Sequence, residues 1–301
     1  EVFRQRKSAY TRKLLDSVNY SPAMKSKSTG RVLLSVDKIS SSYSSSESLF
    51  AGKQTEVKVL NDVTLKIFER EILGVVGESG SGKSTLVKTI LGVHKYENGS
   101  IIFNNKKIDA GKYTDSKTRS LMQVVFQDPH GSFNPRHKIR RLVAEPFYLI
   151  RGVFTKKEIN DRVDIALSEV GLSRDDANKF IHEFSGGQRQ RIAIARALII
   201  KPKLIILDEA VSALDVSIKA QILDLLAELA QRHSLSYLFV SHDLSVVQNV
   251  SNRVVVMQKG NVVEEGTASE ILSYPKADYT KKLVKAIPRI PVSWLSGGVN
   301  A

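Results

Sequence analysis

Three short apolar segments stand out in the hydrophobic pattern of this chain, at residues 72–76, 204–207 and 237–240. Each is apolar at consecutive positions, as a strand is when both faces of its sheet are buried. Between the second and the third segment, apolar residues recur from Ile218 to Leu229 with the spacing of one helix face, which predicts an amphipathic helix. Strands that alternate with helices in this way predict a parallel sheet covered by helices.

Two weaker patterns predict further strands. Apolar and polar residues alternate over residues 63–67, as in a half-buried strand. Residues 254–257 and 262–263 are apolar and are separated by Lys259-Gly260-Asn261, which is typical of a hairpin turn. We therefore expect a strand before the first apolar segment and a hairpin after the third.

The remaining stretches are predicted to be helical or irregular. Residues 130–183 show several helical patterns and no strong strand, so we expect a helical insertion into the α/β core. Regular structure is expected to begin near Val32. The serine-rich stretch from Ser40 to Ser48 is interpreted as a loop that continues to about Gln54.

Composition excludes several classes of protein. The 301 residues are 42% hydrophobic and 25% charged, which is typical of a globular chain and excludes a wholly disordered one. Cysteine is absent, so disulfides, zinc thiolates and cysteine-ligated iron–sulfur clusters are excluded. The net charge of +14 favours an anionic partner such as a nucleotide, a nucleic acid or a membrane surface. A solvated basic arm explains part of this charge, because residues 1–40 alone carry +6.

An internal repeat suggests an earlier copy of the same domain. Residues 1–18 match residues 270–287 without a gap, and both segments share a Tyr-Thr-basic-Lys-Leu run. The alternative is a chance resemblance between two amphipathic helices. We expect residues 1–31 to be the tail of a preceding domain plus a linker, with residues 32–290 as the main domain and 291–301 as a C-terminal tail.

A phosphate-binding loop is the strongest chemical motif. The run from Gly77 to Thr85 fits G-x-x-x-x-G-K-[ST] and lies between a predicted strand and a predicted helix. Glycines let successive N–H groups surround phosphate oxygens, while Lys83 reaches the β- and γ-phosphates and the Ser84 hydroxyl ligates Mg²⁺. An ordinary tight turn would explain the glycines but not Lys83-Ser84. The candidate nucleotide-binding residues are Gly77, Ser79, Gly80, Gly82, Lys83, Ser84 and Thr85.

Two further motifs fit a nucleotide site. The apolar segment 204–207 ends in Asp208 and Glu209, where a carboxylate could hold Mg²⁺ and a second could orient or deprotonate water. Ser185 precedes an apolar helix as a plausible N-cap, followed by two glycines. That segment is either an ordinary capped helix or a second anion site that faces a different nucleotide.

Together these motifs resemble the ATP-binding subunit of ABC transporters. The signature of that family corresponds to Phe184–Gln188, with Phe where Leu is commonest. The other matches, in chain order, are an adenine-stacking aromatic at Tyr43, the Q-loop at Gln127, the D-loop at Ser212–Asp215 and the switch histidine at His242. The resemblance implies a P-loop NTPase of the α/β class, with a mostly parallel sheet core, an antiparallel β subdomain and an inserted α-helical subdomain at about residues 130–183.

The resemblance also implies roles for these residues. Glu209, His242 and Gln127 would be catalytic, and Ser84, Gln127 and Asp208 would ligate Mg²⁺. ATP would be held by Tyr43 and the phosphate-binding loop. Further nucleotide-binding candidates are Ser185, Gly187, Gln188 and Asp215, of which Ser185 and Gly187 would act on the nucleotide of a partner domain.

Finer features resemble the importers of dipeptides, oligopeptides and nickel. These are the run Phe126–Pro129 with Phe133–Arg136, the run Ala213–Ser217, and the ending Tyr279–Leu283. The cysteine cluster that many members carry is absent here. The implied function is an ATPase that powers uptake of peptides or similar small solutes, at the cytoplasmic face of the bacterial inner membrane. Its implied partners are a second ATPase domain, in the same polypeptide or as a homodimer, the integral membrane permease subunits and, indirectly, a substrate-binding protein.

Two other classes compete with this interpretation. A soluble ABC ATPase that acts on ribosomes or DNA would suit the basic charge. However, Ser185 lies only 58 positions after Gln127, too few for the long coiled coil of chromosome-type members, and the zinc-binding cysteines of DNA-repair members are absent. A kinase or GTPase with the same phosphate-binding loop leaves Ser185–Gln188 and His242 unexplained. We therefore expect a transporter ATPase with no nucleic-acid partner.

Overall fold

A computed structural model describes residues 28–45, 55–109, 115–128 and 131–287. The strands in these residues are β1 (Val32–Ser45), β2 (Thr55–Phe68), β3 (Ile72–Val76), β4 (Asn98–Phe103), β5 (Lys106–Lys107), β6 (Met122–Phe126), β7 (Leu204–Asp208), β8 (Ser236–Ser241), β9 (Arg253–Gln258) and β10 (Asn261–Thr267). One sheet has the order β2-β1-β4-β5 and is antiparallel. The other has the order β10-β9-β3-β8-β7-β6, and all its neighbours are parallel except β10 and β9.

Helices cover the second sheet and form the insertion. The α-helices are α1 (Lys83–Ile90), α2 (Ser116–Leu121), α3 (Ile139–Ala144), α4 (Lys156–Glu169), α5 (Gly186–Leu198), α6 (Val216–His233), α7 (Leu244–Val250), α8 (Ala268–Ser273) and α9 (Asp278–Lys285). Short 3₁₀ helices at Glu145–Ile150, Arg174–Asn178 and Ile181–Glu183 complete the predicted insertion between β6 and α5. Within the residues described, no helix combines the length and the apolar character needed to cross a membrane.

The apolar segments of the parallel sheet are buried on both faces, as their sequence predicted. Along β3, Leu73 and Val75 pack into a core shared with β1, β2 and α1, whereas Ile72 and Val76 pack into a core formed with the helices of the opposite face. Strands β7 and β8 alternate in the same way. The sheet is therefore the central layer, and its carboxyl edge is fixed by packing on both sides.

The serine-rich segment departs from the prediction. Residues 40–45 continue strand β1 instead of forming a loop. Ser40 pairs with Asn98 of β4, and its hydroxyl donates a hydrogen bond to Asp62 Oδ1 at 2.9 Å. Residues 41–45 pair with β2 and so continue the strand. Serine has a low intrinsic propensity for strand, and the cross-strand hydrogen bonds outweigh that disadvantage. The rest of the predicted loop, residues 46–54, lies outside the described residues, as do the repeat at residues 1–18 and the tail at residues 291–301.

Candidate nucleotide site

The candidate residues converge because four parallel strands end at one edge of the sheet. Val76 of β3 lies opposite Ser241 of β8, and Asp208 of β7 lies between Val240 of β8 and Phe126 of β6. The residues that follow these strand ends are therefore neighbours, although they are far apart in sequence. They are Gly77, Gln127, Glu209 and His242.

Lys83 is buried inside the phosphate-binding loop. It is 4% exposed, and its Nζ donates hydrogen bonds to the carbonyls of Gly77 at 2.7 Å and Glu78 at 2.8 Å. Burial lowers the pKa of Lys83, while the nearby charges of Glu209 and Asp208 act in the opposite direction. The loop thus holds a cation at the edge of the sheet, opposite two carboxyl groups.

The backbone of the loop is set for an anion. Gly82 caps helix α1 with a φ of 103°, in the left-handed region that favours glycine, and no side chain caps this helix. The first turn of α1 holds no acidic residue. Its N–H groups and the positive end of its dipole therefore face the loop, as in a phosphate site. Thr85 is buried in this helix.

A cleft of about 780 Å³ opens beside the loop. Five of the predicted residues line it together: Ser79, Ser84, Gln127, Asp208 and Glu209. Four other residues line it that the sequence did not single out as site residues, namely Phe126, Asp128, Gly131 and Ser132. All four lie within five positions of Gln127, and that nearness was the available signal for them.

The two carboxyl groups of the cleft have different surroundings. Burial and the charge of Glu209 raise the pKa of Asp208, against the opposing charge of Lys83. Among the described residues, nothing donates a hydrogen bond to Asp208 Oδ1. Glu209 has a φ of 52°, unusual for a side chain of its type, and its Oε2 lies 3.3 Å from His242 Nδ1. Asp208 thus offers a free oxygen, and Glu209 is held beside an imidazole.

The signature segment lies away from this cleft. Ser185 caps α5 and forms a capping box with Gln188, whose Oε1 accepts a hydrogen bond from the Ser185 N–H at 3.0 Å. A Cβ on Gly187 would lie 2.6 Å from Ile218 Cγ2, so close packing against α6 requires glycine there. Asp215 caps α6 by accepting a hydrogen bond from the Ile218 N–H. None of the predicted signature residues is among the described residues that line the cleft.

Tyr43 lies on β1 and does not line the cleft either. One face of its ring stacks on the imidazole of His94, with ring centroids 4.3 Å apart and an angle of 25° between the planes. The side chain is 40% exposed, so the ring remains partly open to solvent. Burial and the charge of Lys88 lower the pKa of His94, which favours the neutral imidazole in the stack.

Comparison with known proteins identifies the same family as the motifs. Residues 60–212 match the ABC transporter family, and residues 263–298 match the C-terminal region of oligopeptide and dipeptide transporters. The oligopeptide transport ATP-binding protein of Haemophilus influenzae is 45% identical over 243 residues, which is 80% of this chain and 73% of that protein.

Two further relatives differ in their length and their assembly. The peptidoglycan transport ATP-binding protein of Agrobacterium fabrum is 41% identical over 287 residues, 95% of this chain but 52% of that protein. A dimeric ATP-binding cassette solved with ADP and Pi in a post-hydrolysis state is 28% identical, with a TM-score of 0.67, and the match covers 78% of this chain and 98% of that one. The chain therefore belongs to the ABC transporter family, as an ATPase subunit that carries the C-terminal region of the oligopeptide and dipeptide transporters.

Proposed function

We propose that this chain hydrolyses Mg·ATP to drive the uptake of peptides or similar small solutes across the bacterial cytoplasmic membrane, from its cytoplasmic face. The observation that carries the proposal is the convergence of Gln127, Asp208 and Glu209 at one cleft. The cleft adjoins the loop in which Lys83 is buried, and Lys83 interacts electrostatically with both carboxyl groups. The peptide cargo is inferred from the C-terminal region and from the names of the relatives.

The cleft is suited to Mg²⁺. Asp208 Oδ1 lacks a hydrogen-bond donor among the described residues, and the Ser84 hydroxyl and the Gln127 amide line the same cleft. These hard oxygen ligands, with the phosphates of the substrate, are what Mg²⁺ prefers. Ser84, Gln127 and Asp208 would hold the ion, which when bound neutralises charge on the β- and γ-phosphates.

The residues of the chain divide the remaining chemistry. When the nucleotide binds, Lys83 donates to the β- and γ-phosphates and no longer to the carbonyls of the loop. Its charge also stabilises the transferred phosphoryl group. Glu209 orients the attacking water and accepts its proton. His242 holds the Glu209 carboxylate from the end of β8. Tyr43, whose ring is partly exposed, stacks on the adenine.

The second ATPase domain supplies the signature. Ser185, Gly187, Gln188 and Asp215 lie outside the cleft of their own chain. Ser185 and Gly187 contact the nucleotide of a partner domain. That domain is carried by the same polypeptide or by a second copy. The sequence repeat between residues 1–18 and 270–287 supports the first arrangement, and the dimeric cassette among the relatives supports a face-to-face pair.

A second groove is suited to a membrane permease. It lies between α1 and the helical insertion, has a volume of about 340 Å³ and includes Phe126 and Tyr148, which are 42% and 46% exposed. Arg196 of α5 lines this groove and donates a hydrogen bond to the Ser132 carbonyl at 2.9 Å. Since Ser132 lines the nucleotide cleft and Phe126 lines both, the permease groove and the nucleotide cleft are in contact through Phe126 and the Arg196–Ser132 hydrogen bond.

Reconstitution tests the proposal. Membrane subunits that co-purify with this chain are placed with it in vesicles and supplied with binding protein and peptides. We expect peptide to stimulate phosphate release and peptide to accumulate only with ATP, and Lys83→Ala to abolish both. An assembly that hydrolyses ATP without moving any peptide or similar solute would refute the transport function and leave the ATPase intact.

A further inference from the structure

A hydrogen bond joins the C-terminal helix α9 to the phosphate-binding loop. The Glu78 N–H donates to the Tyr279 hydroxyl at 2.9 Å, across 201 positions of the chain. Tyr279 is 9% exposed, so this hydroxyl lies where water competes poorly for the contact. The matched C-terminal region, residues 263–298, therefore reaches the loop through the Tyr279 side chain.

The same peptide group also contacts Lys83. The N–H of Glu78 and the carbonyl of Gly77 belong to one planar peptide unit, which moves as a rigid body. Its carbonyl accepts a hydrogen bond from Lys83 Nζ at 2.7 Å, while its N–H is held by Tyr279. One peptide plane thus links the phosphate-binding lysine to the C-terminal helix.

Helix α9 is itself anchored to the domain. The Glu264 carboxylate on β10 accepts hydrogen bonds from the Lys276 N–H at 2.8 Å and the Ala277 N–H at 2.9 Å, just before the helix begins. Val284, near its end, packs into the core formed by the helices. Tyr279 is consequently held in place from both ends of α9.

We propose that Tyr279 is a positioning residue of the nucleotide site, whose hydroxyl fixes the Gly77–Glu78 peptide and so pre-organises the loop around Lys83 for a triphosphate. This inference rests on the proposed nucleotide site. A loop that is already ordered loses less conformational entropy when ATP binds, so the contact contributes to affinity. It makes no contact with the reacting atoms and leaves the rate of phosphoryl transfer largely unchanged.

Tyr279→Phe tests the inference, because it removes only the hydroxyl. The matched control is Tyr274→Phe, five positions earlier, where the side chain is 79% exposed. The affinity for ATP is measured by competition with a fluorescent ATP analogue, and phosphate release is measured at saturating ATP. For Tyr279→Phe we expect Kd and KM to rise about three- to tenfold, as loss of one buried hydrogen bond predicts, with kcat within about twofold of the parent. Tyr274→Phe should match the parent in both.

A second variant separates positioning from stability. Glu264→Gln weakens the anchor of α9 and should raise Kd in the same direction, yet add nothing to Tyr279→Phe in the double variant, because both act through one hydroxyl. A lower melting temperature for Tyr279→Phe with unchanged Kd would overturn the inference. If Tyr279→Phe fails to fold, Glu264→Gln is measured alone, and an unchanged Kd for ATP in that variant would overturn the inference equally.

Lys83→Ala identifies which idea has failed. Weak ATP binding by Lys83→Ala together with unchanged binding by Tyr279→Phe would reject the role of Tyr279 alone. Unchanged binding by Lys83→Ala would instead reject the proposed nucleotide site on which the inference rests.

Discussion

Replacing Glu209 by glutamine tests the assignment of the general base directly. The amide has nearly the same shape as the carboxylate. The substitution therefore preserves the geometry of the contact with His242, which is 3.3 Å from Nδ1 to Oε2. The amide cannot accept a proton from the attacking water. General-base catalysis contributes about 10²- to 10⁴-fold, so the barrier should rise by about 2.7–5.4 kcal/mol.

Nucleotide binding should survive the same substitution. The charge of Glu209 raises the pKa of Asp208, so its removal makes the Asp208 carboxyl easier to ionise. The neutral side chain also no longer repels the phosphates. ATP affinity should therefore be equal to that of the parent or higher, and the ATP-bound face-to-face pair should accumulate, because hydrolysis no longer separates it.

Phosphate release, ATP affinity and size-exclusion chromatography with ATP check these expectations. The matched control is Glu169→Gln. Glu169 Oε1 also lies close to an imidazole, 3.0 Å from His233 Nε2, but Glu169 belongs to the helical insertion and does not line the cleft. Glu169→Gln should hydrolyse ATP like the parent. Turnover by Glu209→Gln within a few-fold of the parent would refute the role of Glu209, and loss of ATP binding would show a structural role instead.

Three further variants test separate parts of the site. Tyr43→Ala should weaken binding of ATP and GTP alike, by about 1–3 kcal/mol, since stacking tolerates any base; unchanged affinities would remove Tyr43 from the site. Asp208→Asn should raise the melting temperature of the nucleotide-free protein, because burial disfavours the Asp208 carboxylate; a lower melting temperature would contradict that reasoning. The same variant should abolish Mg-dependent hydrolysis. Gly187→Ala should destabilise the fold by about 1–3 kcal/mol, because the added methyl group would collide with Ile218. Adding Ile218→Ala to this variant should restore the melting temperature, and unchanged stability of Gly187→Ala alone would contradict the contact.

Much of the central layer could be predicted from short-range pattern. Strand β3 is apolar at every position and is followed by the phosphate-binding loop, so both the strand and the motif were readable within some fifteen residues. Helix α6 was predicted from its apolar stripe, and Asp215 caps it. These elements are predictable because periodicity and capping depend on neighbours in the sequence.

Strand β1 shows where local pattern was insufficient. The five serines of residues 40–45 favour turns, yet cross-strand pairing makes this stretch a strand, and Ser40 is almost fully buried beside Asp62. Because Tyr43 lies in this stretch, its orientation against His94 also depended on the pairing. The sequence suggested Tyr43 as an aromatic residue of the site, and the sheet determined that its ring stacks on His94.

The sequence by itself determined the order of the motifs and the strands that carry them, since each is defined by residues a few positions apart. Only the tertiary structure decided which distant groups meet. The Tyr279 hydroxyl reaches Glu78, and Arg196 reaches Ser132, across 201 and 64 positions. No periodicity encodes such pairs, because they form only when buried faces of separate helices dock on one sheet and fix the remaining polar groups relative to each other.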